Sequence, residues 1–256
     1  MQCATEGGED DMTRRAGLRG VVCLLAGVTM STVVVGSAAA QEGLTVGTHD
    51  NHHGADIFGA IGDSFKLLLI EHGTRIALQE KTRRELGGNF WRDYARSVRM
   101  PQQWTDTDAW TMNYIGHPIH GAAAGYIWLD HKPGVPLEFS TDRGYFLSRI
   151  SAMAWIMSYS IQFEIGPLSE ASIGNVGMNP KTAGWVDHVV TPIGGVGFMV
   201  AEDALDRYVV KWAEQRVRSP FIRVPLRFAA NPGRTLANAA SGRAPWYRAG
   251  RPLDWK

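Results

Sequence analysis

The sequence predicts an all-α protein, a compact bundle of about five helices, on three observations. Apolar residues through the middle of the chain recur at spacings of three and four rather than two. Gly- and Pro-rich breaks separate the runs that carry this spacing, and few segments read as strands. The 256 residues are 45% hydrophobic and 20% charged, which excludes a disordered or collagen-like chain and supplies enough apolar mass for a full core.

Taken in order, the first element is not part of the fold. Arg14, Arg15 and Arg19 precede an uncharged stretch from Gly20 to Ala40 that ends in Ala38, Ala39 and Ala40. A charged start, an apolar run and a small-residue end define a secretory signal peptide over 1–40, cleaved to leave Gln41 first, with an uncleaved membrane anchor as the alternative. Met12, just ahead of the arginines, is a candidate true start. Both cysteines, Cys3 and Cys23, fall in this segment, so the mature chain has no disulfide, thiol nucleophile or thiolate metal site.

Residues 41–215 read as the helical domain. A long amphipathic helix runs from Asp56 to about Glu85, with Ile57, Ile61, Phe65, Leu68, Leu69, His72, Ile76 and Leu78 near one face, and Gly87-Gly88 stops it. A short helix covers Asn89 to Val98, and Thr105 or Thr107 is placed to cap the next segment. The third helix spans Asp108 to Leu129. Ala109 to Leu129 holds no formal charge over 21 residues, enough to cross a bilayer, but Thr111, Asn113, His117, Pro118 and His120 would be costly in hydrocarbon. A buried central helix is therefore expected. A fourth helix covers Thr141 to Ile165, where Met153, Trp155, Ile156, Met157 and Tyr159 read as core. A Gly, Asn and Pro loop covers Ser172 to Gly184. The fifth helix covers Val186 to Val217, with Pro192 as its candidate break.

Charge divides the chain at this point. Residues 41–215 carry 14 basic and 20 acidic side chains, while 216–256 carry 9 basic and 1 acidic. The tail interleaves Arg with Pro, Phe, Trp and Tyr and is expected to be irregular. Arg223, Arg227, Arg234 and Arg248 become candidate contacts to an anionic membrane surface or an envelope partner. The alternative is a wrapping segment whose arginines pair with the acidic body. Export argues against nucleic acid.

Two segments share a pattern, HPIHG at 117–121 and TPIGG at 191–195. Gly121 and Gly125 form a GxxxG step, and Gly194, Gly195 and Gly197 form a second smooth surface, so two helices are expected to cross tightly. The run NYIGHPIHGAAAGYIW at 113–128, with FEIGP at 163–167 and VDHVVTPIGGVGFMVAED at 186–203, resembles bacterial envelope proteins grouped as domain of unknown function 3943. The resemblance covers about ninety residues. It implies the cell envelope and assigns no chemistry.

Chemistry must come from the residues. His117 and His120 lie three apart and share a helix face, while Glu164, Asp187 and His188 are polar groups in otherwise apolar helices. His, His and carboxylate form a competent set for a divalent metal with a bound water as nucleophile. HPxxH lacks the glutamate of HExxH, however, and the alternative is that His117 and Asp187 cap or pair with helix ends while Glu164 accepts hydrogen bonds. His49, Asp50, His52 and His53 could bind a metal adventitiously. Ser140, Ser169 and Ser172 lack a Gly-x-Ser-x-Gly setting, and no phosphate-binding Gly-rich loop is present. Two functions follow. One is a non-enzymatic structural or interaction protein peripheral to a membrane in the periplasm or envelope. The other is a metal-assisted hydrolase acting on a lipid or cell-wall substrate through His117, His120, Glu164 and Asp187, which requires those four to converge on an accessible cavity.

Overall fold

The computed structural model describes residues 54–78, 80–86, 90–98, 101, 103–173 and 180–253. The signal segment, the histidines of 49–53 and the Gly87-Gly88 stop lie outside them. Among the described residues the chain is all-α, with α1 Ile57–Leu78, α2 Glu80–Glu85, α3 Phe90–Ser97, α4 His117–Asp130, α5 Arg143–Ile165, α6 Glu170–Ile173, α7 Val186–Leu205, α8 Lys211–Glu214, α9 Pro220–Ala230 and α10 Pro232–Ala240. The β-structure described there is one isolated parallel bridge between Gln103 and Gly184.

Four long helices make the frame. Gly121 meets Thr191 and Gly195, and Gly125 meets Met199, so α4 and α7 run in the same direction. Ser64 bonds Trp155 and Glu71 bonds Tyr159, which sets α1 alongside α5 in a common direction. Arg149 and Tyr145, early in α5, reach Asp203, late in α7, so the two pairs are antiparallel to one another. Apolar faces on facing helices fill the space between, with Leu67, Leu68, Ala123, Ile127, Ile156 and Met199 buried there.

The uncharged stretch from His117 onward is explained by this arrangement, whereas Ala109, Trp110, Thr111, Tyr114 and Ile115 ahead of it are exposed. α4 packs against α1, α5, α7 and α10, and most of its residues from Gly121 to Ile127 are buried. A helix surrounded on all sides is apolar on all sides. Among the described residues no helix is long and apolar enough to cross a membrane.

The tight crossing predicted from small residues falls where the two motifs meet. A Cβ on Gly121 would lie 2.3 Å from the Thr191 carbonyl oxygen, and one on Gly195 would lie 2.8 Å from the Gly121 carbonyl carbon. No side chain fits at either position. Pro192 does not break α7, which continues to Leu205. The chain then passes through a π-helical turn, Asp206–Val210, into α8.

The tail departs from expectation. From Pro220 to Ala240 it is helical rather than irregular, because Pro220 and Pro232 stand in the first turns of α9 and α10, where the missing N–H costs nothing, while 241–253 is made of turns and irregular chain, as expected. The body it wraps is acidic. Arg227 donates to Glu214 at 2.6 Å and to the carbonyls of Trp246 and Arg251, Arg234 reaches Asp203 at 2.6 Å, and Arg248 donates to Asn231 at 2.9 Å. Arg223 pairs with Glu214 at 3.1 Å. Arg227 and Arg248 are buried, and all four arginines pair with carboxylates of the body, the arrangement of the wrapping alternative. Asp203, fully buried, is the hub, receiving Tyr126, Tyr145, Arg149 and Arg234.

Candidate metal centre

One end of the four-helix frame gathers a group of buried acids and imidazoles, apart from the acids around Asp203 at the other end of α7. His117 opens α4 beside Pro118, which has no N–H to bond the carbonyl four residues back. The preceding residues widen into a π-helical turn, Met112–Gly116, and the His117 N–H bonds the Met112 carbonyl. Such turns recur at functional sites because they re-aim a side chain. Here His117 Nε2 lies 3.4 Å from Asp187 Oδ1, and its Nδ1 lies 4.0 Å from Glu164 Oε1. One ligand atom from each of the three residues falls within 4.8 Å of the others, and all three residues are buried.

Each partner is held by a different element. Glu164 comes from the last turn of α5, just ahead of Gly166. Asp187 stands in the first turn of α7, whose exposed N–H groups are met by a loop, with Trp185 N–H and Val186 N–H donating to the Gln103 and Trp104 carbonyls at 3.0 and 2.9 Å. Gly184 permits this approach, since a Cβ there would lie 2.6 to 2.8 Å from the backbone of Trp104, Thr105 and Asp106. The loop delivers Asp106 to Asp187. Asn113 and the Asp108 N–H both donate to Asp106, at 2.8 and 3.0 Å. Thr107 does not cap a helix; it takes a positive φ of 82° in this turn.

Hydrogen bonds leave the cluster incomplete. Glu164 Oε1 and Asp187 Oδ1 are buried with no hydrogen-bond partner, as are Glu71 Oε1, His120 Nδ1, Asn113 Oδ1 and Thr191 Oγ1 nearby. A buried carboxylate oxygen without a donor is expensive, so the three on α1, α5 and α7 need a cation or protons to explain them. Electrostatics agree. Burial, then the neighbouring carboxyls, pushes Asp187 far up, and burial pushes Glu164 up in the same way. Asp106, although burial alone would raise it, is held below its usual range by hydrogen bonds from Asp187 and Asn113. Burial drives His117 down to about 3, so its imidazole is neutral and its lone pair is free to bind a metal.

The donor set fits a divalent metal. Ligands at 2.0–2.2 Å around a tetrahedral ion stand about 3.4 Å apart, the His117–Asp187 separation, and Glu164 has about an ångström to close. Three protein ligands leave a fourth position open, the pattern of a catalytic rather than a structural site. His117 also lines a cavity of about 240 Å³ whose walls include Glu71, His120, Phe163 and Asp108.

The other sequence candidates divide. His120 joins the cavity but faces Glu71 at 3.7 Å. His188 stands outside the cluster, its ring edge-on to Trp185 at 5.9 Å. Glu71, Asp106 and Asn113 were not foreseen. The signal for Glu71 was present, since it adjoins His72 on a helix otherwise carrying an apolar stripe. Asp106 could not be found, because only the loop's closure over α7 brings it in.

The chain matches no family model, no curated protein and no solved structure.

Proposed function

We propose that this chain is an exported cell-envelope hydrolase that uses a divalent metal held by His117, Glu164 and Asp187. One observation carries the reading: three buried ligand residues from three helices converge, two of them with carboxylate oxygens that have no other partner and the third, His117, on the wall of a cavity. A divalent metal held by these three residues would supply Lewis acidity toward a substrate carbonyl or phosphoryl oxygen and would lower the pKa of a bound water. The chain's own part is to keep His117 neutral, to bring Glu164 and Asp187 within reach of the same ion, and to set His117 on the cavity wall. The resemblance to the envelope proteins of domain of unknown function 3943, and the signal-like first forty residues, support the location.

The test is hydrolysis by the purified, processed protein of phosphate, carboxylic and amide esters of lipids and cell-wall fragments, before and after chelation. Cleavage of one class, lost on chelation and in His117→Ala and restored by metal only in the wild type, is expected. Hydrolysis that survives chelation, or a wild type that binds no metal, overturns it.

A separate observation supports peripheral membrane attachment. Tyr208, Trp212, Phe221 and Ile222 are more than half exposed along 208–222, with Arg216 and Arg218 exposed beside them. Aromatic and basic side chains together suit an anionic membrane interface. This ridge, rather than the buried Arg227 and Arg248, is the proposed contact. Sedimentation with anionic vesicles, weakened in a Trp212→Ser, Phe221→Ser double variant, is the expected result. Equal binding by the double variant contradicts it.

A further inference from the structure

We infer that Glu71 and His120 hold a second divalent cation beside the first, so that the centre is dinuclear. The inference rests on the metal reading of His117, Glu164 and Asp187 and extends it to a neighbouring pair.

The geometry is that of two ligands waiting for an ion. Glu71 Oε1 and His120 Nδ1 stand 3.7 Å apart, beyond a hydrogen bond, and neither atom has a hydrogen-bond partner. Two ligands on one cation at 2.0–2.2 Å each can stand up to about 4.3 Å apart, so one ion spans this gap without backbone movement. Glu71 is 5% exposed, and Tyr159 donates to its other oxygen, Oε2, at 2.6 Å. That bond fixes the carboxylate plane and aims Oε1 away from Tyr159, the support from outside the ligand shell that metal-binding carboxylates receive. His120 is placed by the helix itself, since i and i+3 side chains stand on one face, and its ring lies 5.9 Å from that of His117. Phe163 packs edge-on against both rings and limits their rotation.

Both residues line the same cavity as His117. A cation between them would face the space that His117, a ligand of the first, also lines. Imidazole and carboxylate together suit a first-row divalent ion such as zinc or manganese rather than calcium. Two ions on one cavity would clamp both the attacking and the leaving oxygen of a transferred group.

The experiment counts ions. Full-length processed protein is stripped with chelator and dialysed to equilibrium against buffered Zn²⁺, and zinc per chain is measured for the wild type, Glu71→Gln, His120→Ala and Asp187→Asn, each checked for helical content by circular dichroism. Two ions in the wild type and one in both Glu71→Gln and His120→Ala are expected. Glu71→Gln keeps the side chain's volume and its acceptor for Tyr159, and His120→Ala gives the same answer if the first variant misfolds. One ion in the wild type that survives Glu71→Gln overturns the second site and leaves the first standing. Two ions that survive both variants place the second ion elsewhere, such as the histidines at 49–53, and also overturn it. No loss in Asp187→Asn, or no zinc in the wild type, overturns the underlying metal reading.

Discussion

At the scale of single residues, the protein holds charge-bearing groups out of their charged states. In the metal-free protein the folded-state values of Glu164 and Asp187 lie above their unfolded ones, so each contributes stability at low pH that is lost as pH rises. His117 and His72, both driven down by burial, contribute the opposite slope, which ends near pH 6.5 because imidazole is neutral in both states above it. Above pH 6.5 the carboxyls act alone. The unfolding free energy of the metal-free protein is expected to fall between pH 6.5 and 8.5, by at most about 1.4 kcal/mol per pH unit for each carboxyl still protonated, and the melting temperature with it; a flat or rising profile would contradict the burial of Glu164 and Asp187 as acids. Metal binding must expel those protons. Calorimetric titration in buffers of different ionisation enthalpy is expected to show net proton release on Zn²⁺ binding at pH 7, and none in Asp187→Asn at that site. His117, Glu164 and Asp187 were legible one by one as polar residues in apolar helices. Their grouping was not, since sequence spacing says nothing of which turns of α4, α5 and α7 share a level.

At the scale of elements, two glycines two residues apart on α7 should behave oppositely. Gly195 has the Gly121 backbone against it, while Gly197 has nothing within 4 Å of its missing Cβ. Gly195→Ala must separate α4 from α7, and a loss near the top of the 1–3 kcal/mol seen for overpacking, about 3 kcal/mol, is expected. Gly197→Ala should gain up to about 1 kcal/mol from helix propensity. Denaturant unfolding of both variants checks this, and equal effects would mean that the crossing is looser than described. The long helices, the tight crossing and the burial of the uncharged segment from His117 onward followed from periodicity and residue size. The tail's helices did not, because prolines that read as breakers are starters when they occupy the first turn. Pro192 shows the same ambiguity from inside a helix.

At the scale of the whole molecule, the opposed charges of body and tail are an internal pairing. Glu202, Asp203, Asp206 and Glu214 receive Arg227, Arg234, Arg248 and Arg251 together with backbone N–H groups of α10. The sequence showed the charge split but not its use, since an exposed basic tail and one folded against acids have the same composition. Removing one buried partner leaves the other charge stranded, so Arg227→Ala should cost about 3–5 kcal/mol, whereas the exposed Arg218→Ala should change stability by less than about 0.5 kcal/mol. Denaturant titration of the two variants measures the difference, and a mild Arg227→Ala would return the tail to the surface.

The metal centre itself is tested by thermal unfolding of the wild type and of Asp187→Asn, each after exhaustive chelation and again with Zn²⁺ about a thousandfold above its dissociation constant. A site that exists only in the folded chain adds about 4 kcal/mol under that excess, which for a chain of this size raises the melting temperature by about 8–16 °C. The wild type should show that rise and Asp187→Asn should lose at least half of it. A wild type that melts at the same temperature with and without Zn²⁺ would show that the buried cluster of His117, Glu164 and Asp187 holds protons and no metal.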